Sequence, residues 1–357
     1  MKVNKRPVAV ICLSPNSGGM EMLAMSFAQK LQNNLSDVKV ISIVKKDSYM
    51  NNTLKEQNEL TYETIDFYKT FSFSIITNAR KIIKKYKIKN VIFFGASEMK
   101  SLYFAFLGLD INLIIRHSTT KSTSKKDWFH RLIYSDVNYH IGTSQHLVNN
   151  IREIIPFGTN SKANLIASSF EFQSPFHVAH NKLTLLHTGR IVEGKGQLDA
   201  IKACEILADN HIDFHFYVVG ELDESYKDEF LTFYENCDYK NNVELVGFTN
   251  DVQSYIQKSD VFIFPSYGEG FGNSFMEALA NNIVCISYAN TSFLNFKEMG
   301  FYFKMCENRS IEDLKHNLLN VCLNLESELD KSSQNYKLAS ELLSVEVEMN
   351  KYIEILK

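Results

Sequence analysis

The feature that most constrains the fold is a repeated alternation of short apolar runs with spacers of helix length. Runs that are apolar on both faces and are separated by helical patterns are typical of parallel sheets covered by helices on both sides. The first series is PVAVICLS, KVISIV, NVIFFG, INLIIRHS, NYHIGTS and ANLIASS, and the second is KLTLLHTG, FHFYVVG, NVELVGF, DVFIFPS and VCISYA. The sequence therefore predicts an α/β protein with two doubly wound, Rossmann-like domains that face each other across a cleft.

Chain length agrees with two domains, because 357 residues exceed the usual size of a single core. The predicted linker is EFQSPFHVAHN (171–181), where a proline interrupts the pattern. Beyond about Ile311 the pattern is helical, without another strand. We predict an N-terminal acceptor-side domain over 1–175, a C-terminal nucleotide-binding domain over 176–335, and a final helix within 336–357 that packs back toward the N-terminal domain.

Composition excludes several classes of protein. Hydrophobic residues make up 45% and charged residues 22% of the chain, which are values of globular rather than disordered proteins. The apolar run VAVICL (8–13) is too short for a signal peptide or a membrane span, so a cytoplasmic protein is expected. The six cysteines lack the spacing of a zinc site or a disulfide framework, which indicates small core residues.

Charge is divided unevenly between the two halves. Residues 1–178 contain 23 Lys and Arg against 13 Asp and Glu, whereas the remainder contains 15 against 28. This asymmetry suggests that the first half faces an anionic partner, such as a membrane surface or an acidic acceptor. The densest basic segment is NARKIIKKYKIKN (78–90), with Lys81, Lys84 and Lys85; the alternative is that these side chains only solvate an ordinary helix. No nucleic-acid partner is predicted.

The segment FPSYGEGFGNSFMEALA (264–280) carries the clearest chemical signal. Gly268, Gly270 and Gly272 would let the backbone adopt positive φ and approach a ligand closely. Glu269 lies in this turn and Glu277 about one turn into the following helix, and helical side chains lean back toward the helix start. Two carboxylates near one site favour hydrogen bonds from hydroxyl groups, as on a sugar and a ribose.

The start of this helix is a predicted phosphate site. Asn273 or Ser274 is expected to cap the helix, and the first backbone N–H groups would bind a phosphate. The turn therefore suits a phosphorylated, polyhydroxylated ligand.

EGFGNSFMEALA resembles the Glu-x7-Glu motif of retaining nucleotide-sugar glycosyltransferases of family 4, which have the two-domain GT-B fold. Three further segments resemble that family: HTGRIVEGKGQLDAIKA (187–203) its Gly-Arg and Lys-Gly segment, NVELVGFTNDVQSYIQKSDVFIFPS (242–266) its base-binding segment, and SPNSGGMEMLAMSFAQKL (14–31) its amino-terminal glycine loop. The bacterial surface-glycan type of this family is expected.

The resemblance implies a role for each matching position. Arg190 and Lys195 would bind the donor diphosphate, Glu269 the transferred sugar and Glu277 the ribose. His117 would contact the donor sugar, so the expected catalytic residues are Glu269, His117, Arg190 and Lys195. The remaining donor-binding positions are Gly18, Gly19, Gly189, Gly220, Gly247, Phe248, Gly270, Phe271, Gly272, Asn273 and Ser274. Positions expected on the acceptor side are Arg116, Lys125 and Lys126.

The expected function is the transfer of a sugar, with retention, from a nucleotide-sugar donor to a hydroxyl of a glycan or lipid-linked acceptor. A UDP-sugar is favoured, and lipopolysaccharide, capsule or another surface polysaccharide is the expected product class. No cofactor is expected, and the absence of Asp-x-Asp disfavours a metal-dependent enzyme. The alternatives are another sugar-nucleotide enzyme on the same fold and a non-catalytic nucleotide-sugar-binding subunit.

Overall fold

The structure is a computed structural model that describes residues 6–16, 18–35, 37–57, 59–170, 172, 174–176, 178 and 182–357. The chain forms two compact units. One consists of Met1–Ser169 together with Val345–Lys357, and the other of Phe170–Ser344. The predicted linker, residues 171–181, lies for the most part outside the described residues.

The first unit contains a sheet of seven parallel strands in the order β3-β2-β1-β4-β5-β6-β7. The order reverses at β1, whose Val8 pairs with Val40 of β2 on one side and with Asn90 of β4 on the other. This reversal is the topological switch point of a doubly wound sheet. The strands are β1 (Val8–Cys12), β2 (Val40–Lys45), β3 (Thr61–Ile65), β4 (Asn90–Phe94), β5 (Asn112–His117), β6 (Tyr139–Gly142) and β7 (Lys162–Leu165).

Helices cover both faces of this sheet. In β1, Ala9 and Ile11 belong to one hydrophobic cluster, and Val8, Val10 and Cys12 to another, because successive side chains of a strand point to opposite faces. The helices are α1 (Gly19–Asn34), α2 (Tyr49–Gln57), α3 (Phe73–Tyr86), α4 (Met99–Phe106), α5 (Trp128–Ile133) and α6 (Gln145–Ile154). The two-sided burial explains why the strands are apolar throughout.

The second unit contains a sheet of six parallel strands in the order β10-β9-β8-β11-β12-β13. The strands are β8 (Leu183–Thr188), β9 (Phe214–Val219), β10 (Val243–Gly247), β11 (Val261–Phe264), β12 (Val284–Tyr288) and β13 (Lys304–Cys306). The helices are α7 (Gln197–Ala203), α8 (Glu205–Asp209), α9 (Lys227–Glu235), α10 (Val252–Gln257), α11 (Asn273–Ala280), α12 (Thr291–Glu298), α13 (Ile311–Leu323), α14 (Leu325–Ser332) and α15 (Asn335–Leu342). The prediction of two doubly wound α/β domains is confirmed.

The chain returns to the first unit through α16 (Val345–Ile355). Arg116 at the end of β5 and Glu348 of α16 form a buried ion pair, with 2.8 Å between Nη1 and Oε1. The side-chain amide of Asn112 donates to the carbonyl of Ile355. Buried charge pairing and hydrogen bonds therefore fix α16 on this sheet.

The six cysteines are free, and all are buried except Cys322, which is half-buried. Burial raises the pKa of the Cys12 thiol to about 12. Such thiols are poor nucleophiles at neutral pH, as expected for core residues.

Candidate functional site

The strand order of the second sheet reverses between β8 and β11, and two loops leave the carboxyl ends of these strands. Loop 189–196 connects β8 to α7, and loop 265–272 connects β11 to α11. The loops touch, because the backbone N–H of Tyr267 donates to the carbonyl of Gly194 at 2.8 Å. Ligands of open α/β sheets bind at such a switch point.

Lys195 and Glu269 meet where the two loops touch. Their side chains form an ion pair with 2.6 Å between Nζ and Oε1. The Ser266 hydroxyl donates to the same carboxylate oxygen at 2.9 Å. The Glu269 side chain is only 10% exposed, whereas that of Lys195 is 35% exposed, so the ammonium group remains accessible to a ligand.

Two glycines let the loops pack this closely. Gly196 has φ of +82°, and a Cβ there would lie 2.2 Å from the carbonyl oxygen of Pro265. Gly220 has φ of +150°, and a Cβ there would lie 2.0 Å from the carbonyl oxygen of Gly189. No other residue type fits either position without moving the backbone.

The expectation that all three glycines of the 268–272 turn adopt positive φ is wrong for two of them. Only Gly272 lies in this region, with φ of +83°. A Cβ on Gly268 would lie 3.3 Å from Cγ2 of Thr291. A side chain at position 268 would thus be tightly packed against Thr291, whereas the backbone conformation favours glycine at position 272.

The expected cap of α11 is also wrong. Gly272 occupies the N-cap position, and no side chain there accepts a hydrogen bond. Neither Asn273 nor Ser274 caps the helix, because both lie within its first turn. Among the described residues, no side chain accepts a hydrogen bond from the first backbone N–H groups of this eight-residue helix, an arrangement that favours a phosphate or another anion.

Glu277 lies further along α11 and is half-buried. Among the residues that the structure describes, its carboxylate has no hydrogen-bond or ion-pair partner. Burial alone raises its pKa to about 7. A desolvated carboxylate without a partner gains stability when a ligand donates hydroxyl groups to it.

Arg190 is exposed, and its guanidinium forms no ion pair within the described parts of the chain. Its backbone is fixed, because Nε2 of Gln197 donates to the Arg190 carbonyl at 3.1 Å. Asp223 lies close enough for Arg190 to help lower the pKa of that carboxyl, after the stronger effect of the Ser225 hydrogen bonds. The guanidinium is available for an anionic ligand.

The other predicted donor-binding positions of the second unit differ in how accessible they are to a ligand. Gly189 and Gly247 have φ of +136° and +79°, and a Cβ on either would meet no atom within 4 Å, so space beside the backbone remains open. Phe248 is 70% exposed beside Gly247. Phe271 is buried and packs against Phe296 with 5.2 Å between ring centroids, so its side chain belongs to the core. Gly270 also lies in this turn.

In the first unit, Gly18 is the N-cap of α1 and Gly19 is the first residue of that helix, which places both after the carboxyl end of β1. A Cβ on Gly19 would meet nothing within 4 Å, so the fold itself does not require a glycine there. The buried carboxylate of Glu21 lies beside Gly18, since a Cβ on Gly18 would be 3.0 Å from its Oε2. A carboxylate here favours a ligand hydroxyl over a phosphate.

His117 ends β5 and is buried against His140 of β6, with 3.0 Å between Nε2 of His117 and Nδ1 of His140. Burial, followed by the charge of His140, lowers the pKa of His117 well below its usual value. Burial lowers the pKa of His140 to about 3. Both rings are therefore neutral at pH 7, and among the described atoms Nδ1 of His117 has no hydrogen-bond partner.

The acceptor-side positions differ in exposure. Arg116 is 2% exposed, and its guanidinium is taken up by Glu348 and by the hydroxyl of Ser168 at 2.7 Å. This environment suits a structural role rather than acceptor binding. Lys125 is half-buried and Lys126 is exposed, which leaves both ammonium groups accessible.

Thr291 and Asn290, which were not predicted from the sequence, support the loop that carries Glu269. The backbone N–H of Glu269 donates to Oγ1 of Thr291 at 2.9 Å, and that hydroxyl donates to Oδ1 of Asn290 at 2.9 Å. Nδ2 of Asn290 donates to the carbonyl of Ser266 at 2.9 Å. Thr291 has φ of +39°, a strained conformation for a β-branched residue. No local sequence signal marks this position, since the strain is visible only in the backbone.

His187 and Asp199 support the same loops. Burial lowers the pKa of His187 to about 3, and its Nε2–H donates to the Lys195 carbonyl at 3.0 Å. Asp199 is buried and accepts hydrogen bonds from the hydroxyls of Tyr267 and Tyr288 at 3.1 and 2.9 Å. His187 thus holds the loop that carries Lys195, and Asp199 holds Tyr267 of the loop that carries Glu269.

Two other features are absent from the described residues. Within them, no three or more His, Cys, Asp or Glu side chains are grouped so that they could hold a metal ion. No helix in the same residues has the length and apolar character needed to cross a membrane.

The unit that carries this site is similar to part of a known protein family. Residues 169–337 match the family described as glycosyl transferases group 1. An uncharacterized glycosyltransferase of Haemophilus influenzae is 25% identical over 95% of both chains. The capsular polysaccharide biosynthesis glycosyltransferase CapH of Staphylococcus aureus is 26% identical over 81% of this chain and 82% of its own length.

A third relative matches over a shorter segment. It is the N-acetylgalactosamine-N,N'-diacetylbacillosaminyl-diphospho-undecaprenol 4-alpha-N-acetylgalactosaminyltransferase of Campylobacter jejuni. It is 32% identical over 106 residues, which are 29% of this chain and 28% of its own length.

Among solved structures, Anabaena Alr3699/HepE in complex with UDP and glucose superimposes with a TM-score of 0.80 and 14% identity, over 98% of this chain and 99% of that one. This likeness shows the fold, which is the GT-B fold of two Rossmann-like domains. Residues 169–337 are therefore similar to glycosyl transferases group 1, and this match and the named relatives support a glycosyltransferase.

Proposed function

We propose that the protein transfers a sugar, with retention of configuration, from a nucleotide-diphosphate sugar to a hydroxyl of a glycan or glycolipid. The observation that carries this proposal is the Lys195–Glu269 pair at the switch point of the second sheet. It places a cation for a diphosphate next to a carboxylate for sugar hydroxyls. The uncapped start of α11 lies at the end of the same loop.

Each side chain then has one task. Lys195 and Arg190 bind the diphosphate and stabilise the negative charge that develops as it leaves. Glu269 accepts hydrogen bonds from the transferred sugar, and Glu277 from the ribose. The N–H groups at the start of α11 bind phosphate oxygens. The nucleoside is expected beside Gly220, Gly247 and the exposed Phe248 ring.

The reaction proceeds by front-face substitution. The bond between the anomeric carbon and the diphosphate oxygen breaks, and the acceptor oxygen bonds to the same face of that carbon. The departing phosphate oxygen takes the acceptor proton, so no protein nucleophile is needed. The two cations stabilise the leaving group, and no metal ion is required in this proposal.

The donor and product class are supported by the relatives. HepE was crystallised with UDP and glucose, which favours a UDP-sugar. CapH is named for capsular polysaccharide biosynthesis, and the Campylobacter enzyme for a diphospho-undecaprenol acceptor. We therefore favour a role in lipopolysaccharide, capsule or another surface polysaccharide, with a lipid-linked glycan as acceptor.

On the acceptor side, we propose that His117 contacts the donor sugar and that Lys125 faces an anionic acceptor. Lys126 is not assigned to the acceptor, because it lies with the residues that precede β5, β6 and β7, at the other edge of the sheet. The neutral His117 ring carries a nitrogen without a partner among the described residues, so it can still bind a ligand group. Gly19 leaves space beside the backbone after the carboxyl end of β1.

We also propose that the first unit docks on an anionic membrane at its cytoplasmic face. Helix α3 buries Ile75, Ile82 and Ile83 and exposes Lys81 and Lys84 to solvent. Lys85 is less available, because it forms an ion pair with Glu63 at 2.6 Å. The exposed rings of Tyr68 and Phe73 near the helix start, 97% and 80% exposed, would enter the lipid interface.

The donor is tested by measuring thermal stabilisation with UDP-, GDP- and ADP-sugars. A donor at about 100 times its Kd should add about 2.7 kcal/mol to the stability of the unit that binds it. Transfer to a lipid-linked acceptor is then followed by mass spectrometry, and the anomeric configuration of the product by NMR.

Three results would contradict the proposal in different ways. Stabilisation without transfer to any acceptor would indicate a non-catalytic binding subunit. An inverted product would exclude retention. Activity that is lost in EDTA and restored only by magnesium or manganese would contradict a metal-independent site.

A further inference from the structure

A cavity lies in the first unit at the edge of the sheet where the strands begin, opposite their carboxyl ends. Its volume is about 990 Å³. The residues that precede β5, β6 and β7 line it, namely Ile111, Val137 and Asn138, and 155–160. Because Gly18 follows the carboxyl end of β1 and His117 is the last residue of β5, the cavity is separate from the predicted ligand-binding edge of this sheet.

The cavity is cationic. Lys126, Arg131 and Arg152 line it, and Asp136 is the one acidic residue in the lining. All three cations are exposed, and none forms an ion pair within the described part of the chain. Asp136 can balance at most one of these three charges, so the described lining has an excess of positive charge.

The walls of the cavity are fixed by the backbone. A Cβ on Gly158 would lie 2.0 Å from the Ser135 carbonyl oxygen, so loop 155–160 packs directly on the residues before β6. The backbone N–H of Lys125 donates to the Ile154 carbonyl at 2.9 Å. Nε of Arg131 donates to the Lys126 carbonyl at 2.9 Å, which leaves the two terminal nitrogens of its guanidinium for a ligand.

We propose that this cavity binds a phosphate group of a molecule other than the sugar donor. Two guanidinium groups provide paired donors that match phosphate oxygens, and Lys126 adds a third positive charge. No carboxylate besides Asp136 opposes an anion there. Sugar hydroxyls would instead require acceptors, which the three cations do not supply.

Two exposed aromatic side chains, one in the lining and one close to Lys126 in sequence, indicate the source of the phosphate. Trp128, 77% exposed, lies two residues after Lys126, and Phe157, 38% exposed, lines the cavity. Tryptophan is enriched at the interface between membrane and water, where its ring sits at the level of the headgroups. A phospholipid headgroup is therefore the favoured source, and a free phosphate ester is the other.

The test uses the full chain with two sources of phosphate. Binding to vesicles of phosphatidylglycerol and phosphatidylcholine, against phosphatidylcholine alone, is measured by co-sedimentation. Binding of inorganic phosphate and of glycerol 3-phosphate is measured by calorimetry. The variant is Arg131→Gln/Arg152→Gln, and the matched control is Lys46→Gln/Lys55→Gln, which removes two cations elsewhere in the same unit.

Arg131→Gln/Arg152→Gln should lower binding to anionic vesicles about 30-fold, because each basic residue near an anionic surface contributes several-fold to binding. The control should bind as the unsubstituted protein does, and stabilisation by UDP should be unchanged in both variants. A loss confined to vesicles, shared by Trp128→Ala, identifies a lipid headgroup; a loss confined to the soluble probes identifies a free phosphate ester. Equal binding by variant and control to both sources, or no binding by the unsubstituted protein to either, would overturn the proposal.

Discussion

At the level of single side chains, Lys195 and Arg190 differ in the charges around them. Lys195 is paired with Glu269, whereas Arg190 is exposed without an ion pair among the described residues. Lys195→Ala and Arg190→Ala should each lower kcat by about 100-fold or more, since each removes a preorganised charge that stabilises the leaving diphosphate. Steady-state kinetics checks this, with Lys240→Ala, a surface lysine paired with Glu235, as the control. Unchanged kcat in both variants would remove the diphosphate assignment.

Glu277 should make donor binding depend on pH. Its pKa is raised to about 7, so it is mostly protonated at pH 6 and mostly ionised at pH 8. The ionised form accepts hydroxyls, so affinity for a UDP-sugar should rise about tenfold from pH 6 to pH 8 and level off above pH 8. A UDP-sugar has no phosphate that titrates in this range. Calorimetry at several pH values measures the effect, and Glu277→Gln should bind more weakly and without this pH dependence.

Thr291 is a positioning residue for Glu269. Thr291→Val removes the acceptor of the Glu269 backbone N–H and should lower kcat about tenfold while changing KM little, since one lost hydrogen bond costs about 1–3 kcal/mol. Thr291→Ser keeps the hydroxyl and should restore the activity. Steady-state kinetics, which gives kcat and KM for both variants, tests this role of the hydroxyl. Equal losses in the two variants would instead indicate that the hydroxyl is not the cause, and that Thr291 acts through its methyl group or only supports the fold.

Prediction from sequence works at this scale where a residue type has one chemical use. Glycines, acids and cations in the loops after β8 and β11 were recognisable because few other residues allow such turns or bind phosphate. The contact between Lys195 and Glu269 was not predicted, because the two residues lie 74 positions apart and meet only when β8 pairs with β11. Arg116 was predicted on the acceptor side, but its guanidinium is buried against Glu348. An arginine at a strand end does not reveal from the sequence that it has a partner on a distant helix.

At the level of elements, burial on both faces made most strands recognisable. Two strands were not predicted, β3 (TYETI) and β13 (KMC), because both mix polar and apolar residues at the end of a sheet. End strands have only one neighbour and carry fewer buried side chains. Their sequences therefore lack the continuous apolar run that marks central strands.

Helix α16 depends on one buried charge. Glu348→Ala would leave Arg116 buried without its partner, which should cost about 3–5 kcal/mol of stability. Amide hydrogen exchange over residues 345–357 should accelerate as this helix loosens. Glu346→Ala is the matched control, because Glu346 is exposed on the same helix. Similar exchange in the two variants would show that hydrophobic packing alone holds α16.

At the level of the whole molecule, the uneven charge has a consequence for the membrane proposal. Lys81→Glu/Lys84→Glu should lower binding to anionic vesicles by about 30-fold or more, since each basic residue near such a surface contributes about 1 kcal/mol. UDP-sugar affinity should hardly change, because the proposed donor-binding cations and carboxylates belong to the second unit. Higher salt should reproduce the loss through screening.

The matched control is Lys46→Glu/Lys55→Glu. Lys46 lies just before α2 and Lys55 lies within it. Met50 and Leu54 of α2 pack on one face of the sheet, and α3 packs on the other. Vesicle co-sedimentation at low salt compares the two variants. Equal binding by Lys81→Glu/Lys84→Glu and the unsubstituted protein would favour a soluble or protein-borne acceptor.

The path of the chain also bears on how the protein is made. The first unit takes its last helix from Val345–Lys357, so a ribosome must translate the whole of the second unit before the first can close. Until then the guanidinium of Arg116 and the face that receives Tyr352 remain open to water or to chaperones. During synthesis, the second unit should thus reach its final form earlier than the unit that begins the chain.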